Sequence, residues 1–458
     1  MSSTFWLKAF EMILALGLLV VVHEFGHYSF SRLFGVWVEK FYLFFNPWFT
    51  IAKWKPRAKT DADGNEVKTS WRATEYGVGW LPLGGYCKIA GMIDESMDTE
   101  QMRQPAKPYE FRAKPAWQRL FIMVGGVLFN FLMANAIYTG IVYTYGEMFI
   151  NYTDATEGMI YCDSAHQIGF QDGDIPLAVD GKALTYYRPE DIQTIIMGHR
   201  VTVLRNHRDT VAITIPPGYL EAANKDAEAH QPFMDIRLPV VVAQTQPRMG
   251  AEAAGILPGD RMLKVAADTT PGYDQFTAAL LKHKGTVVPM VVQRADSLLT
   301  INARIDEDGK LGILLTQPTK VYNVVVKHYN IFQSVPRGIQ MGWDKLVAYV
   351  KQLKVIFTPE GAKSLGGFGA IGSIFPDTWN WLDFWSITAF LSVILAVMNI
   401  LPIPALDGGH VLFLLWEIIT GRQPSDKFLE HAQMVGMALL LALLLFANGN
   451  DIYRYFFK

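Results

Sequence analysis

Charged side chains are scarce in this sequence. Of 458 residues only 18% are Asp, Glu, Lys or Arg, and 50% are hydrophobic. A soluble domain carries nearer a quarter charged residues. The shortage excludes a disordered chain, which needs low hydrophobicity and high net charge. Cysteine is almost missing. Cys87 and Cys162 cannot build a disulfide framework or a four-thiolate zinc site. An excess of one sign is missing too: 41 basic residues face 43 acidic ones. No global basic field therefore points to nucleic acid as a partner.

The missing charge is concentrated. Residues 120–146, 384–406 and 431–450 contain no Asp, Glu, Lys or Arg, over 27, 23 and 20 residues. Each window reaches the roughly 20 residues that a helix needs to cross a hydrocarbon core. Buried helices of soluble proteins are usually shorter and amphipathic. A fourth apolar stretch, 12–22, resembles the core of a signal peptide. It runs on, however, into His23-Glu24-Phe25-Gly26-His27 and stays apolar through Phe34. We read 5–34 as one membrane helix with polar groups inside it. Such groups are costly at membrane depth and are functional by default.

These segments divide the chain. The first helix falls within 1–35, the second is 117–146, the third 383–406 and the fourth 428–449. The loop 36–116 lies between the first two. Residues 35–119 hold 13 basic and 10 acidic residues, whereas 147–330 hold 17 and 22. The positive-inside rule places the 35–119 loop in the cytoplasm and the 147–330 block outside. Segment 331–357 carries apolar residues at helical spacing with Lys and Arg between them. That pattern suits an amphipathic helix on the membrane interface or packed on protein.

The middle block contains a repeat. Gly169-Phe170-Gln171-Asp172-Gly173-Asp174 returns as Gly255-Ile256-Leu257-Pro258-Gly259-Asp260, at a constant offset of 86 residues. In each copy the turn feeds alternating apolar residues, as at the start of a strand. We expect two copies of one α/β domain, at 147–237 and 238–320, that resemble PDZ domains. PDZ domains take an extended peptide as an added strand. On that resemblance Gly169, Asp174, Gly255, Gly259 and Asp260 are candidate peptide-binding loop residues.

His-Glu-x-x-His is the sharpest signal. On a helix, His23 and His27 stand at i and i+4 on one face, where two imidazoles can share one metal ion. Glu24 beside them suits a general base acting on water at zinc. A catalytic zinc site usually has three protein ligands. The third is open at this level. Glu39 is one candidate. Asp407 is another, at the end of Asn399-Ile400-Leu401-Pro402-Ile403-Pro404-Ala405-Leu406-Asp407-Gly408-Gly409. Two prolines break the helix there, and unwound backbone at membrane depth occurs only where it lines a protein cavity.

With these motifs on the page, the chain resembles the site-2 protease family of intramembrane zinc metalloproteases, in its bacterial branch of sigma-E regulators. The resemblance covers nearly the whole chain and includes Gly126-Val127-Leu128-Phe129-Asn130-Phe131 in the second helix. It implies that His23, His27 and Asp407 bind zinc, that Glu24 is the catalytic base, and that Asn399 and Pro402 shape the substrate site. Val127 departs from the Pro often found there, and 364–371 is a looser form of a Ser-Gly-Pro stretch. The Gly-rich loop 74–86, with Gly84 and Gly85, is expected to form a membrane-dipping hairpin that clamps substrate.

The fold class expected is a polytopic α-helical membrane protein with about four transmembrane helices and a periplasmic tandem of PDZ-like α/β domains. The expected site of action is the bacterial inner membrane. The expected substrates are single-pass membrane proteins trimmed beforehand, such as an anti-sigma factor or remnant signal peptides. The partners expected are those substrates and the lipid bilayer, with no nucleic acid. Two other classes fit the pattern less well. A membrane-anchored PDZ scaffold with a structural metal has no need of Glu24. A metal transporter has no need of the repeat or of the helix-breaking prolines.

Overall fold

The computed structural model describes residues 3–82, 84–92, 104–228, 231–356 and 366–457. Leu83, Ser364 and Leu365, which belong to motifs named above, lie outside them. The chain divides into two units, Met1–Gly146 with His328–Lys458, and Glu147–Lys327.

The first unit is helical. Its labelled helices are α1 (Ser3–Leu33), α2 (Ala116–Tyr145), α3 (Ile331–Ile356), α4 (Trp381–Ile400), α5 (Asp407–Thr420) and α6 (Asp426–Phe457). Among the described residues four helices are long and apolar enough to cross a membrane: α1, α2, α4 and α6. Without a hydrophobic force between helices in lipid, close backbone approach drives packing, and small residues permit it. A Cβ on Gly26 of α1 would come 2.2 Å from the Gly125 carbonyl oxygen of α2. Only glycine lets the two helices meet so tightly.

The apolar window 383–406 is not one helix. α4 starts at Asn380, whose side chain accepts from the Leu382 and Asp383 amides. It ends at Ile400, because Pro402 forces the preceding Leu401 into extended backbone (ψ 141°). Residues 401–406 are unwound, with Ala405 at φ 81°. α5 then begins at Asp407. A Cβ on Gly408 would lie 2.1 Å from the Leu401 carbonyl oxygen, so the unwound turn folds back directly over the start of α5. The short apolar run after Asp407 is this 14-residue helix.

The amphipathic segment is helical and follows α2. Gly338 faces Thr139 and Gly342 faces Asn135, so α3 runs antiparallel along α2. Met341, Leu346, Tyr349 and Leu353 pack on a core formed by Ala134, Tyr138, Ala389 and Val393. A second apolar row on α3 stays exposed, with Phe332, Val335, Ile339, Trp343 and Val350.

Between α1 and α2 lies a four-stranded sheet of β1 (Val38–Leu43), β2 (Phe45–Trp54), β3 (Glu75–Leu81) and β4 (Tyr86–Ile89). Its order is β2-β3-β1-β4. β1 pairs parallel with β3 and antiparallel with β4. The stretch 74–86 is thus not a hairpin, since β1 is inserted between its two strands. β4 is an edge strand, and so is β2. An exposed aromatic corner stands on β2 and β3, where Trp48 and Phe49 stack on Trp80.

The second unit contains two cores. Each has the same plan. In the first copy a sheet orders Asp209–Thr214, Arg200–Arg205, Ile175–Val179 and Lys182–Ala183. In the second it orders Ser297–Arg304, Val287–Arg294, Arg261–Val265 and Asp268–Thr269. Each copy adds a two-stranded sheet, Met159–Tyr161 with Met234–Ile236 and Val242–Thr245 with Ile313–Leu315. Beyond the second copy the chain returns to the first: Val324–Lys327 pairs with Glu147–Ile150, and Tyr322 is buried in the first core.

The repeated turn has a repeated lock. Arg205 donates to both Asp174 carboxylate oxygens and to the Gly169 carbonyl. Arg294 does the same to Asp260 and Gly255. Hydrogen bonds from Arg294 hold the Asp260 carboxyl below the usual range. Asp174 and Asp260 are each 1% exposed. Their carboxylates are used inside the turn. Gly169, Gly255 and Gly259 all have positive φ and shape the same turns.

Candidate active site

The i, i+4 spacing on α1 sets His23 and His27 side by side, with their Nε2 atoms 3.3 Å apart. Asp407, at the first turn of α5, brings Oδ2 within 3.2 Å of each Nε2. These three residues form the one group of His, Cys, Asp or Glu able to hold a metal ion among the described residues. Asp407 Oδ2 is buried and makes no hydrogen bond. An orphaned carboxylate oxygen is costly unless a cation meets it. Two imidazole nitrogens and a carboxylate oxygen are also the donor set that zinc favours. The residues fit that metal.

α2 supplies the support. The Ile122 carbonyl lies 2.8 Å from His27 Nδ1. The Asn130 side-chain nitrogen lies 3.1 Å from His23 Nδ1. Between them Gly126 leaves room, since a Cβ there would come 2.5 Å from His27 Nε2. Residues 122, 126 and 130 are spaced by four and so lie along one stripe of α2. Ser392 of α4 donates to the Asn130 carbonyl at 2.7 Å. At the far end of α5, Glu417 pairs with Arg119 of α2, which also donates to the Lys114 carbonyl.

Glu24 faces the sheet. The Cys87 backbone N–H, on edge strand β4, is hydrogen-bonded to its carboxylate. A cavity of about 470 Å³ is lined by His23, Glu24, His27 and Asp407 together with the β4 residues Tyr86 to Ile89. Asn399, Gly85 and His410 also line it; Gly84 and Pro402 do not. Pro402 acts at one remove, by ending α4. Glu39, the other candidate third ligand, pairs instead with Lys88 at 3.5 Å. Sequence reasoning missed Ile122, Cys87 and His410. The first two act through backbone atoms, which leave no mark in residue identity. The third stands one turn after Asp407 and could have been found by helical spacing.

The helical unit, with four helices long and apolar enough to cross a membrane, thus carries a candidate metal site of two histidines and one aspartate with a glutamate beside it, the residue set of a metallopeptidase. The model of peptidase family M50 matches residues 11–61 and 64–443. The chain belongs to this family, the site-2 protease family, and is a metalloendopeptidase. It is 27% identical to the regulator of sigma E protease of Haemophilus influenzae, over 97% of this chain and 98% of that one. It is 26% identical to the regulator of sigma-E protease RseP of Escherichia coli K12, over 99% and 100%. A Vibrio cholerae protein, named as a zinc metalloprotease, is 26% identical over the same shares. Membership of a peptidase family decides against the scaffold and transporter readings.

Proposed function

We propose that the chain is an intramembrane zinc endopeptidase that cuts single-pass membrane proteins within their transmembrane segments after an earlier cleavage. The observation that carries this is the convergence of His23, His27, Asp407 and Glu24 on one cavity, beside helices long enough to span a bilayer. His23 and His27 through Nε2, and Asp407 through Oδ2, would hold zinc. Zinc there supplies Lewis acidity for the scissile carbonyl and lowers the pKa of water to about 7.

The chain's own residues do the rest. The Glu24 carboxylate takes the proton of the attacking water and passes it to the leaving amide nitrogen. A helical peptide bond is shielded by its own hydrogen bonds, so the substrate needs unwinding. Edge strand β4 can accept it as an added strand, with Gly84 and Gly85 leading into the strand and Gly85 lining the cavity. Asn399, in the last turn of α4 just before the break set by Pro402, stands at the cavity wall, where its amide can bond an extended backbone. The Trp48, Phe49 and Trp80 corner suits the membrane interface, where aromatic rings collect.

The two copies in the second unit are PDZ-like domains that admit only substrates already trimmed. Positive-inside bias supports a periplasmic position for them and a cytoplasmic one for the 35–119 loop, in a bacterial inner membrane. An anti-sigma factor is the favoured substrate, since relatives are named as regulators of sigma E. Remnant signal peptides are a second class.

The test is cleavage of a model transmembrane peptide by the purified protein in detergent. Activity should vanish with a chelator, return with zinc, and be lost in Glu24→Gln while bound zinc is retained. Undiminished cleavage by Glu24→Gln would remove this mechanism.

A further inference from the structure

Asn130 sits in the middle of α2 with no exposed surface. Its side-chain nitrogen lies 3.1 Å from His23 Nδ1, and its Oδ1 is buried without a partner. These two facts conflict with a metal-binding His23. If the amide nitrogen donates to Nδ1, that nitrogen is an acceptor, and a neutral ring then carries its proton on Nε2. The proton would point at His27 Nε2 and Asp407 Oδ2, where a lone pair is needed.

Half a turn of the amide removes the conflict at the ring. The two amide ends have the same shape, and their assignment follows from the hydrogen-bond network. With oxygen toward the ring, Oδ1 accepts from His23 Nδ1–H, and the Nε2 lone pair faces the other ligands. The change also frees Nδ2 for the bond that two other helical asparagines make. Asn135 and Asn448 each donate to the carbonyl four residues back, at 2.9 and 2.8 Å. His27 gives the internal comparison. Its Nδ1 meets the Ile122 carbonyl, an atom that can only accept, so that ring is already the Nδ1–H tautomer.

We infer that Asn130 is the positioning residue of His23: its Oδ1, turned toward the ring, accepts from Nδ1–H and fixes the tautomer that leaves Nε2 free for the metal. Ile122 and Asn130 then do the same task for the two histidines, one through a backbone oxygen and one through an amide oxygen. Such outer partners fix ring orientation and typically change metal affinity about 10–100-fold. This inference rests on the zinc reading given under Proposed function.

The experiment compares full-length protein with Asn130→Asp, Asn130→Ala and His27→Ala, each with Glu24→Gln to prevent self-cleavage. Zinc affinity is read by competition with a chromophoric chelator, and the melting midpoint of the zinc-free protein controls for folding. Asn130→Asp keeps an acceptor and loses the donor, so it should bind zinc at least as tightly as its parent. Asn130→Ala should raise the zinc Kd by about 10–100-fold with an unchanged zinc-free midpoint. If Asp loses as much affinity as Ala, the amide acts as a donor and the inference falls. If Ala binds like a zinc-competent parent, it falls as well. A parent that binds zinc no better than His27→Ala would remove the zinc reading itself, and this inference with it.

Discussion

Gly126 lies directly against His27: a Cβ at this position would come 2.5 Å from Nε2 and 2.6 Å from the neighbouring His23 Cε1. Gly126→Ala should therefore push both rings away from Asp407. Overpacking typically costs about 1–3 kcal/mol. We expect loss of bound zinc and of peptide cleavage, with the protein still folded in detergent. Metal analysis beside circular dichroism checks this; retained stoichiometric zinc would show that the rings can shift without cost.

Asp407→Ala removes the only carboxylate among the three candidate ligands. Zinc content should fall well below that of Glu24→Gln, because Glu24 is not one of the ligands. Equal zinc in the two variants would exclude Asp407 from the metal site.

The Arg119–Glu417 pair is largely buried, with side chains 8% and 16% exposed. Breaking such a pair from one side leaves an uncompensated charge and costs about 3–5 kcal/mol. Glu417→Met alone should lower the melting midpoint of the detergent-solubilised protein clearly. The double variant with Arg119→Met should recover most of the loss. An equal loss in both would show that the side chains matter by shape and not by charge.

Asp260 gives the pH prediction. Arg294 holds its carboxyl below the ordinary value. A depressed carboxylate adds stability above its unfolded pKa, near 3.9, and that stability is lost as pH falls through the folded value. The second unit should therefore loosen on acidification below about pH 4. Asp260→Asn should be less stable at neutral pH and show a flatter acid response. Melting midpoints between pH 3 and 7 decide it, and parallel curves for the two proteins would refute it.

Topology needs new thiols, because Cys162 is only 4% exposed and would escape a label on either side. Exposed Asp296 and Asp63 are suitable positions. In intact spheroplasts, Asp296→Cys should react with a membrane-impermeant reagent and Asp63→Cys should not. The reverse pattern would invert the orientation.

The legible parts of this protein were those with local periodicity. Three charge-free windows and the apolar run 12–22 marked the four helices long and apolar enough to span a membrane, and the i, i+4 rule gave the histidine pair. The repeat at constant offset announced two copies of one plan, which the sheets display. The third ligand was open between Glu39 and Asp407 at the level of residues, because no local pattern says which distant segment comes home. The insertion of β1 between β3 and β4 was hidden for the same reason: parallel pairing is non-local. The Arg205–Asp174 and Arg294–Asp260 locks were not legible, because each arginine stands on a later strand. Ile122 and Cys87 contribute backbone atoms, which any side chain could accompany.

His27 and Asp407 are separated by almost the whole chain, yet the proposed metal site needs both. A ribosome that has delivered α1 and α2 has made only two-thirds of a ligand set. Synthesis must pass the 401–406 turn before a third ligand exists. If the proposed site is right, the order of translation acts as a safety catch: a nascent or truncated chain ending before Asp407 carries the His-Glu-x-x-His helix but only two of the three candidate ligands.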